Sequence, residues 1–276
     1  MDVRITTLSE NTANYGFLGE WGLSILVEAD GVQVLMDTGL NLSAAYNAQV
    51  MRLDLSTIDR IVLSHGHADH TGGLCEVLRL TGAVEIIAHP DIWVDKFTRR
   101  SEGNERKISI PFSQKELEDL GARFNLTREP IRITGNIMTT GEIPMITDYE
   151  EIDSHLFIRE GDEFKPDPLA DDLALVIDTE FGLVVILGCA HRGMVNTLRH
   201  AQTLTGRERV YAVIGGTHLI GASEERLERT IADLREMDIQ RLGVSHCTGF
   251  PASARLAQEF ADTFFLNNAG SRMALP

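Results

Sequence analysis

Cysteine is scarce in this chain of 276 residues, which has only Cys75, Cys189 and Cys247. An odd number of cysteines at unrelated spacings implies no disulfide framework, and this argues against a small secreted scaffold. Long apolar runs are also missing, and the first residues lack the apolar core of a signal peptide. We therefore expect a soluble, cytoplasmic protein without a membrane partner.

Positive charge is in deficit as well. The chain carries 25 lysines and arginines against 41 aspartates and glutamates, which gives a net charge of −16. Such a charge repels phosphate backbones, so we expect no nucleic-acid partner. The exception is a local basic stretch formed by Lys96, Arg99, Arg100, Arg106 and Lys107. We expect Arg99 and Arg100 to bind a small anionic substrate, the alternative being a solvated basic loop.

Histidine is infrequent too, yet three of the nine histidines fall in the segment His65-Gly66-His67-Ala68-Asp69-His70. This segment follows Ile61-Val62-Leu63, an apolar run typical of a buried strand. His65 and His67 can project to one side of an extended segment, and Asp69 and His70 follow after a turn. Imidazole and carboxylate suit zinc, manganese and iron, so we predict two adjacent divalent metal ions, zinc first among them. The alternative is an exposed loop that happens to be rich in histidine.

Further polar residues follow predicted strands and stand close to glycines; they are Asp37, His191, His218 and His246. Polar side chains gathered at strand ends are how α/β folds build their sites. We predict His191 and His246 as metal ligands, whereas His218 either ligates a metal or contacts substrate. Asp37 hydrogen-bonds either a ligand histidine or its own turn. Trp21 either faces the site, where it would contact substrate, or packs.

The hydrophobic pattern alternates strands and helices before residue 90 and again after residue 170, which predicts an α/β fold and allows two similar halves. Residues 90–170 form an insertion that either covers the site or is peripheral to it. Within it we predict a short helix over residues 91–97, a strand over residues 131–134 and a capping box at Ser113-Gln114-Lys115-Glu116. We assign residues 1–276 to a single domain.

The H-x-H-x-D-H pattern from His65 to His70 resembles the metallo-β-lactamase superfamily. Smaller motifs are similar to one branch of it, the 7,8-dihydropterin-6-methyl-4-(β-D-ribofuranosyl)aminobenzene-5′-phosphate synthases of methanopterin biosynthesis. These motifs are Gly22-Leu23-Ser24, Met36-Asp37-Thr38-Gly39, Gly188-Cys189-Ala190-His191, Gly215-Gly216-Thr217-His218-Leu219 and His246-Cys247-Thr248-Gly249. The resemblance implies a four-layer αββα sandwich with a two-metal site at its edge.

The resemblance also implies a set of ligands, carried over by position. The first metal would be held by His65, His67 and His191, and the second by Asp69, His70 and His246. Asp37 would support a ligand histidine. One departure stands out, because hydrolases of the superfamily usually place a bridging carboxylate at the strand end that His218 occupies here.

The expected function is that of a metal-dependent enzyme acting on a small anionic substrate, phosphorylated and pterin-like. Its two metal ions would activate water and polarise a phosphoryl or carbonyl oxygen, with Asp69 and His218 as catalytic candidates. One alternative, which the resemblance implies, is a transferase that joins a pterin to a phosphorylated arylamine. The other is a non-hydrolytic metal sensor or di-iron redox protein, in which Cys189 and Cys247 would be thiolate ligands rather than packed small residues.

Overall fold

The apolar runs of the sequence become the central strands of two large sheets. The computed structural model describes residues 1–99 and 105–275. The first sheet contains, in spatial order, β17 (Arg272–Ala274), β1 (Val3–Ser9), β2 (Ser24–Ala29), β3 (Val32–Met36), β4 (Arg60–Val62), β5 (Val84–Ala88) and β8 (Ala122–Leu126). The second contains β16 (Phe264–Leu266), β15 (Arg241–Ser245), β14 (Val210–Gly216), β13 (Gly182–Leu187), β12 (Ala174–Thr179) and β9 (Ile137–Thr139).

The two sheets share one connection pattern. In the first, the antiparallel hairpin β2–β3 is followed by parallel pairing of β3 with β4, β4 with β5 and β5 with β8. In the second, the hairpin β12–β13 is followed by parallel pairing of β13 with β14, β14 with β15 and β15 with β16. The chain therefore builds two similar halves, in line with its repeated order of strands and helices.

Seven α-helices occur among the described residues. They are α1 (Ser43–Val50), α2 (Ala68–Thr71), α3 (Leu74–Thr81), α4 (Gln114–Asp119), α5 (Met194–Thr205), α6 (Glu224–Glu236) and α7 (Phe250–Glu259). One apolar cluster joins α1, α3 and α4 to the first sheet, and another joins α5, α6 and α7 to the second. A third lies between the sheets, where Val27 and Val34 meet Ile177 and Val184. These layers confirm the predicted αββα sandwich. In the described part of the chain, no helix is long and apolar enough to cross a bilayer.

The described residues between 90 and 170 contribute to each of the three sheets found in the described part of the chain. Strand β8 extends the first large sheet and β9 the second, while a small sheet consists of β11 (Glu163–Pro166), β10 (Leu156–Glu160), β6 (Lys96–Arg99) and β7 (Glu105–Lys107). The capping box at Ser113 is confirmed. The helix predicted over residues 91–97 is wrong, because only a 3₁₀ turn at Pro90–Trp93 forms before β6 pairs with β10. The strand predicted over residues 131–134 is reduced to an isolated bridge between Arg132 and Met138.

Candidate metal centre

The site is built where strands of both large sheets end. Strands β3 and β4 are followed by Asp37 and the histidine motif, and β13, β14 and β15 lead to His191, His218 and His246. The two sheets approach closely at this edge, since a side chain at Gly188 would overlap Ser64. Four non-glycine residues here have a positive φ; they are Asp37 (58°), Ala190 (53°), His218 (47°) and His246 (53°). Such conformations are uncommon and often mark functional sites.

The first histidine cluster consists of His65, His67 and His191, each at most 5% exposed. Nε2 of His65 lies 3.0 Å from Nδ1 of His67. The His191 ring is centred 4.8 Å from that of His65 and 4.9 Å from that of His67. Among the described residues, neither ring nitrogen of His191 has a hydrogen-bond partner, and neither does Nε2 of His67. Buried polar atoms normally have partners, so these nitrogens fit a metal ion that would provide one.

The second cluster joins Asp69, His70 and His246. Nε2 of His70 lies 3.2 Å from Nε2 of His246, which is 3.3 Å from Oδ2 of Asp69. Nε2 of His70 also lies 3.1 Å from Sγ of Cys189. At the rim, the Trp21 indole donates to Oδ2 of Asp69 over 3.1 Å and is 49% exposed. The residues that the sequence predicts for both metals and the rim therefore lie together.

Asp37 is fully buried and orients His70. Its Oδ2 accepts from Nδ1 of His70 over 2.7 Å and from the Ser64 hydroxyl over 2.6 Å. Its Oδ1 accepts from the Ser64 amide over 2.7 Å. Because Nδ1 of His70 is thus occupied, Nε2 is the nitrogen that faces the cluster. Of the two roles left open by the sequence, the geometry gives Asp37 the hydrogen bond to a histidine.

Burial and neighbouring charge set the protonation of the histidines. Burial holds the pKa of His65 and His191 well below its usual range and lowers that of His67 to about 3, so these rings are neutral. Burial also lowers the pKa of His70, but Asp37 and Asp69 outweigh it and raise this pKa to about 9. The site thus combines neutral imidazoles with carboxylates that attract positive charge. This is a donor set that suits divalent cations.

His218 has a carboxylate partner that the sequence did not reveal. Its Nε2 lies 2.7 Å from Oδ2 of Asp153, a residue that precedes β10 in the 90–170 segment. Its Nδ1 is buried without a partner, and its ring is centred 4.0 Å from that of His191. Burial lowers the pKa of His218, but the hydrogen bonds and charges of Asp153 and Cys247 together outweigh this and raise it to about 10. Asp153 stands in an acidic stretch, with Asp148, Glu150 and Glu151, and nothing in the sequence distinguishes it from them.

The basic stretch is not uniformly exposed. Lys96 is 1% exposed, and its Nζ lies 2.9 Å from Asp167 and 2.8 Å from Asp171. Asp171 also accepts the amide hydrogen of Gly66 over 2.8 Å, so this buried triad supports the loop that carries His65 and His67. Lys96 is therefore not available to attract an anionic substrate, because two carboxylates surround its charge.

Arg99 and Arg100 are the two arginines of the basic stretch that the sequence predicts to bind substrate. Arg99 pairs with Glu105 over 2.6 Å and its guanidinium lies 4.9 Å from the centre of the Phe157 ring. Among the described residues, no hydrogen bond joins Arg99 to the histidine clusters. Arg100 lies outside the described residues. Their role in substrate binding stays a prediction.

Replacing Lys96 with methionine should destabilise the protein by about 3–5 kcal/mol, because the change leaves two buried carboxylates without their cation. Urea unfolding of the metal-free protein measures this. Lys115→Met is the matched control, since Lys115 forms only an exposed pair with Asp119 and its loss should not measurably change the free energy of unfolding. Equal stability of the two variants would show that the triad contributes nothing.

The sandwich and its histidine-lined edge define a class of metal-binding enzyme folds. A family model described as the metallo-beta-lactamase superfamily matches residues 22–246. The chain belongs to this superfamily and is one of its enzymes.

Individual relatives extend the similarity over the whole chain. The chain is 35% identical, over 98% of its length and 95% of the relative's, to the 7,8-dihydropterin-6-methyl-4-(beta-D-ribofuranosyl)-aminobenzene-5'-phosphate synthase of Methanocaldococcus jannaschii. An uncharacterized protein of the same organism is 32% identical over 92% of this chain and 94% of its own. Among solved structures, Tm1679, described as a metal-dependent hydrolase of the beta-lactamase superfamily, is 26% identical with a TM-score of 0.86 over 99% of both chains.

Proposed function

We propose that this enzyme is a metal-dependent transferase that joins a dihydropterin to a phosphorylated arylamine at a two-metal centre. The observation that carries the proposal is the 35% identity, over 98% of the chain, to a synthase whose name describes such a product. The sequence by itself favours hydrolysis with metal-activated water. The similarity over nearly the full length supports our choice of the transferase over the hydrolase.

The two histidine clusters supply the residues that would hold the metals. His65, His67 and His191 would hold one ion, and Asp69, His70 and His246 the other. The fit is supported by the buried ring nitrogens of His67 and His191 that have no protein partner. When bound, divalent ions would supply positive charge to stabilise negative charge on a leaving-group oxygen.

We assign His218 the role of a hydrogen-bond donor to the substrate. In the proposed reaction the arylamine nitrogen forms a bond to the methylene carbon of the dihydropterin, and the bond from that carbon to an anionic leaving group breaks. The nitrogen releases its proton to solvent, and the leaving-group oxygen takes up the electron pair. Asp153 occupies Nε2 of His218, so Nδ1 is the atom left to donate to that oxygen. A carboxylate in the place of His218 would repel the same group.

Trp21 is the rim residue that we assign to substrate binding. Its indole is held by Asp69 and half-exposed, so it offers an aromatic face to a planar pterin ring. Arg99 and Arg100 would bind the phosphate of the arylamine substrate. The second candidate function is hydrolysis of a phosphoester at the same centre. The similarity to Tm1679, which is described as a hydrolase, favours it.

Activity is tested by incubating the zinc-loaded enzyme with a dihydropterin that carries a methylene-linked phosphate or diphosphate, together with the aminobenzene ribofuranosyl phosphate. We expect a joined product, detected by mass spectrometry and abolished by a chelator. His218→Ala should lower kcat by about 100-fold, as removal of a donor to a developing oxyanion does elsewhere. Asp153→Asn should lower kcat less, because the imidazole remains.

His155→Ala is the control for these variants, since His155 lies two residues from Asp153 and is exposed. Elemental analysis should find two metal ions per chain in both wild type and His218→Ala. One ion in the variant would make His218 a ligand instead of a substrate contact. Metal-dependent release of phosphate without any joined product would overturn the transferase and support hydrolysis.

A further inference from the structure

Cys189 occupies a central position between the two histidine clusters. It follows β13 two residues before His191 and is 3% exposed. The ligand atoms of His65, Cys189 and His191 all lie within 4.8 Å of one another, and so do those of His70, Cys189 and His246. Its sulfur is therefore the one atom that these two groups have in common.

An independent feature indicates that a ligand belongs beside this sulfur. His191 is 3% exposed, and both of its ring nitrogens lack a hydrogen-bond partner. Buried nitrogens without partners are costly, and Sγ of Cys189 belongs with His65 to a group of possible ligand atoms that includes His191. The unpartnered ring nitrogens of His191 and the sulfur of Cys189 thus lie in the same group of possible ligand atoms.

Cys247 differs from Cys189 in the hydrogen bonds that its sulfur forms. Its Sγ accepts the amide hydrogen of His218 over 3.3 Å and donates to the carbonyl oxygen of Cys189 over 3.4 Å. These contacts tie together the ends of three neighbouring strands. For Cys189, the hydrogen-bond contact of the sulfur is with the imidazole of His70. The sulfur of Cys247 also belongs, with Cys189 and His218, to a third group of possible ligand atoms. Because its two backbone contacts occupy this sulfur, Cys247 serves as a close control for Cys189.

We propose that Cys189 is a thiolate ligand shared by both metal ions. The inference rests on the proposed two-metal centre and adds a ligand to it. Cysteine sulfur binds zinc at about 2.3 Å and is a soft donor, so the centre should prefer zinc, cobalt or iron over magnesium and manganese. Ligation replaces the S–H bond by bonds to metal, and the proton leaves to solvent. No oxidant or reductant takes part.

The first test replaces zinc with cobalt(II) and records the near-ultraviolet spectrum of the full-length protein. Wild type should show a sulfur-to-cobalt charge-transfer band, and Cys189→Ser should lose it and bind cobalt at least about 10-fold more weakly. Cys247→Ser and Cys75→Ser should keep the band. A band that persists in Cys189→Ser, or disappears only in Cys247→Ser, would overturn the proposal.

A second measurement does not depend on whether Cys189→Ser folds. Zinc-edge X-ray absorption of wild type and of Cys247→Ser, each loaded with two zinc ions per chain, should show one sulfur neighbour per zinc in both proteins. Half a sulfur per zinc would mean that one ion alone carries the thiolate, and none would exclude Cys189; either result overturns the shared ligand while the two-metal centre stands. A protein that binds no zinc would instead remove the proposed function itself, and this proposal with it.

Discussion

Replacing His191 with alanine should remove metal binding at the first cluster while the metal-free protein stays folded. Both ring nitrogens of His191 lack protein partners, so the substitution breaks no hydrogen bond. The cost of the lost packing is offset by removal of two buried polar atoms without partners, and we expect the free energy of unfolding without metal to change by less than about 2 kcal/mol.

The zinc-loaded proteins should differ far more than the metal-free ones. A metal that binds only the folded state raises the free energy of unfolding, and His191→Ala should lose most of this gain. The proposed transferase activity should fall by more than the 10–100-fold that is typical when a residue supporting a ligand is removed, because His191 would itself be a ligand. Zinc titration, thermal unfolding with and without zinc, and the product assay measure these effects.

His200→Ala is the matched control. His200 lies on α5 and its Nε2 contacts the carbonyl oxygen of Thr140 over 3.1 Å, outside both clusters. Its replacement should leave zinc stoichiometry unchanged. If His191→Ala binds two zinc ions as tightly as wild type, His191 is not a ligand and the first cluster has been assigned wrongly.

Replacing Asp37 with asparagine should weaken metal binding by about 10–100-fold. The side chains have the same shape, and asparagine tolerates the positive φ of 58° at this position, so the backbone is preserved. The amide nitrogen, however, would meet Nδ1 of His70 and the Ser64 hydroxyl, where Oδ2 now accepts. His70 then loses the hydrogen bond that directs its Nε2 to the metal. The buried donors left without an acceptor should lower the free energy of unfolding by about 1–3 kcal/mol.

Asp30→Asn provides a control with the same chemistry. Asp30 lies in the exposed β2–β3 turn with a φ of 53°. Its side chain hydrogen-bonds Thr134 and Asn136 and contacts neither histidine cluster. It should change neither zinc affinity nor stability. Unchanged zinc affinity in Asp37→Asn would show that the hydrogen bond from His70 to Asp37 does not contribute to metal binding.

The histidine motif and the layers of the fold could be predicted because both depend on local sequence patterns. The histidine motif is contiguous, and alternating strands and helices specify the layers without any knowledge of long-range contacts. The partners that surround the ligands are different, because they come from distant parts of the chain. Glu10 accepts from the amide of His246 over a separation of 236 residues, and Asp153 meets His218 across 65.

Lys96 shows why such partners escape sequence analysis. In the sequence it belongs to a basic stretch, and its type and neighbours predict exposure. The structure buries it because Asp167 and Asp171 fold back over it from more than 70 positions away. Strand β17 was also missed, since three residues at the end of the chain become a strand only through pairing with β1. Tertiary contacts, not local preference, decide both cases.

The left-handed backbone at Asp37, Ala190, His218 and His246 bears on how this enzyme can be remodelled. Valine, isoleucine or threonine at these positions would strain the main chain by about 1–3 kcal/mol each, in addition to changing the chemistry. Positions that touch the centre from ordinary backbone, such as Trp21 and Asp153, carry no such penalty. Laboratory evolution toward new substrates would therefore start at the rim and at the partner of His218, with the strand ends left as they are.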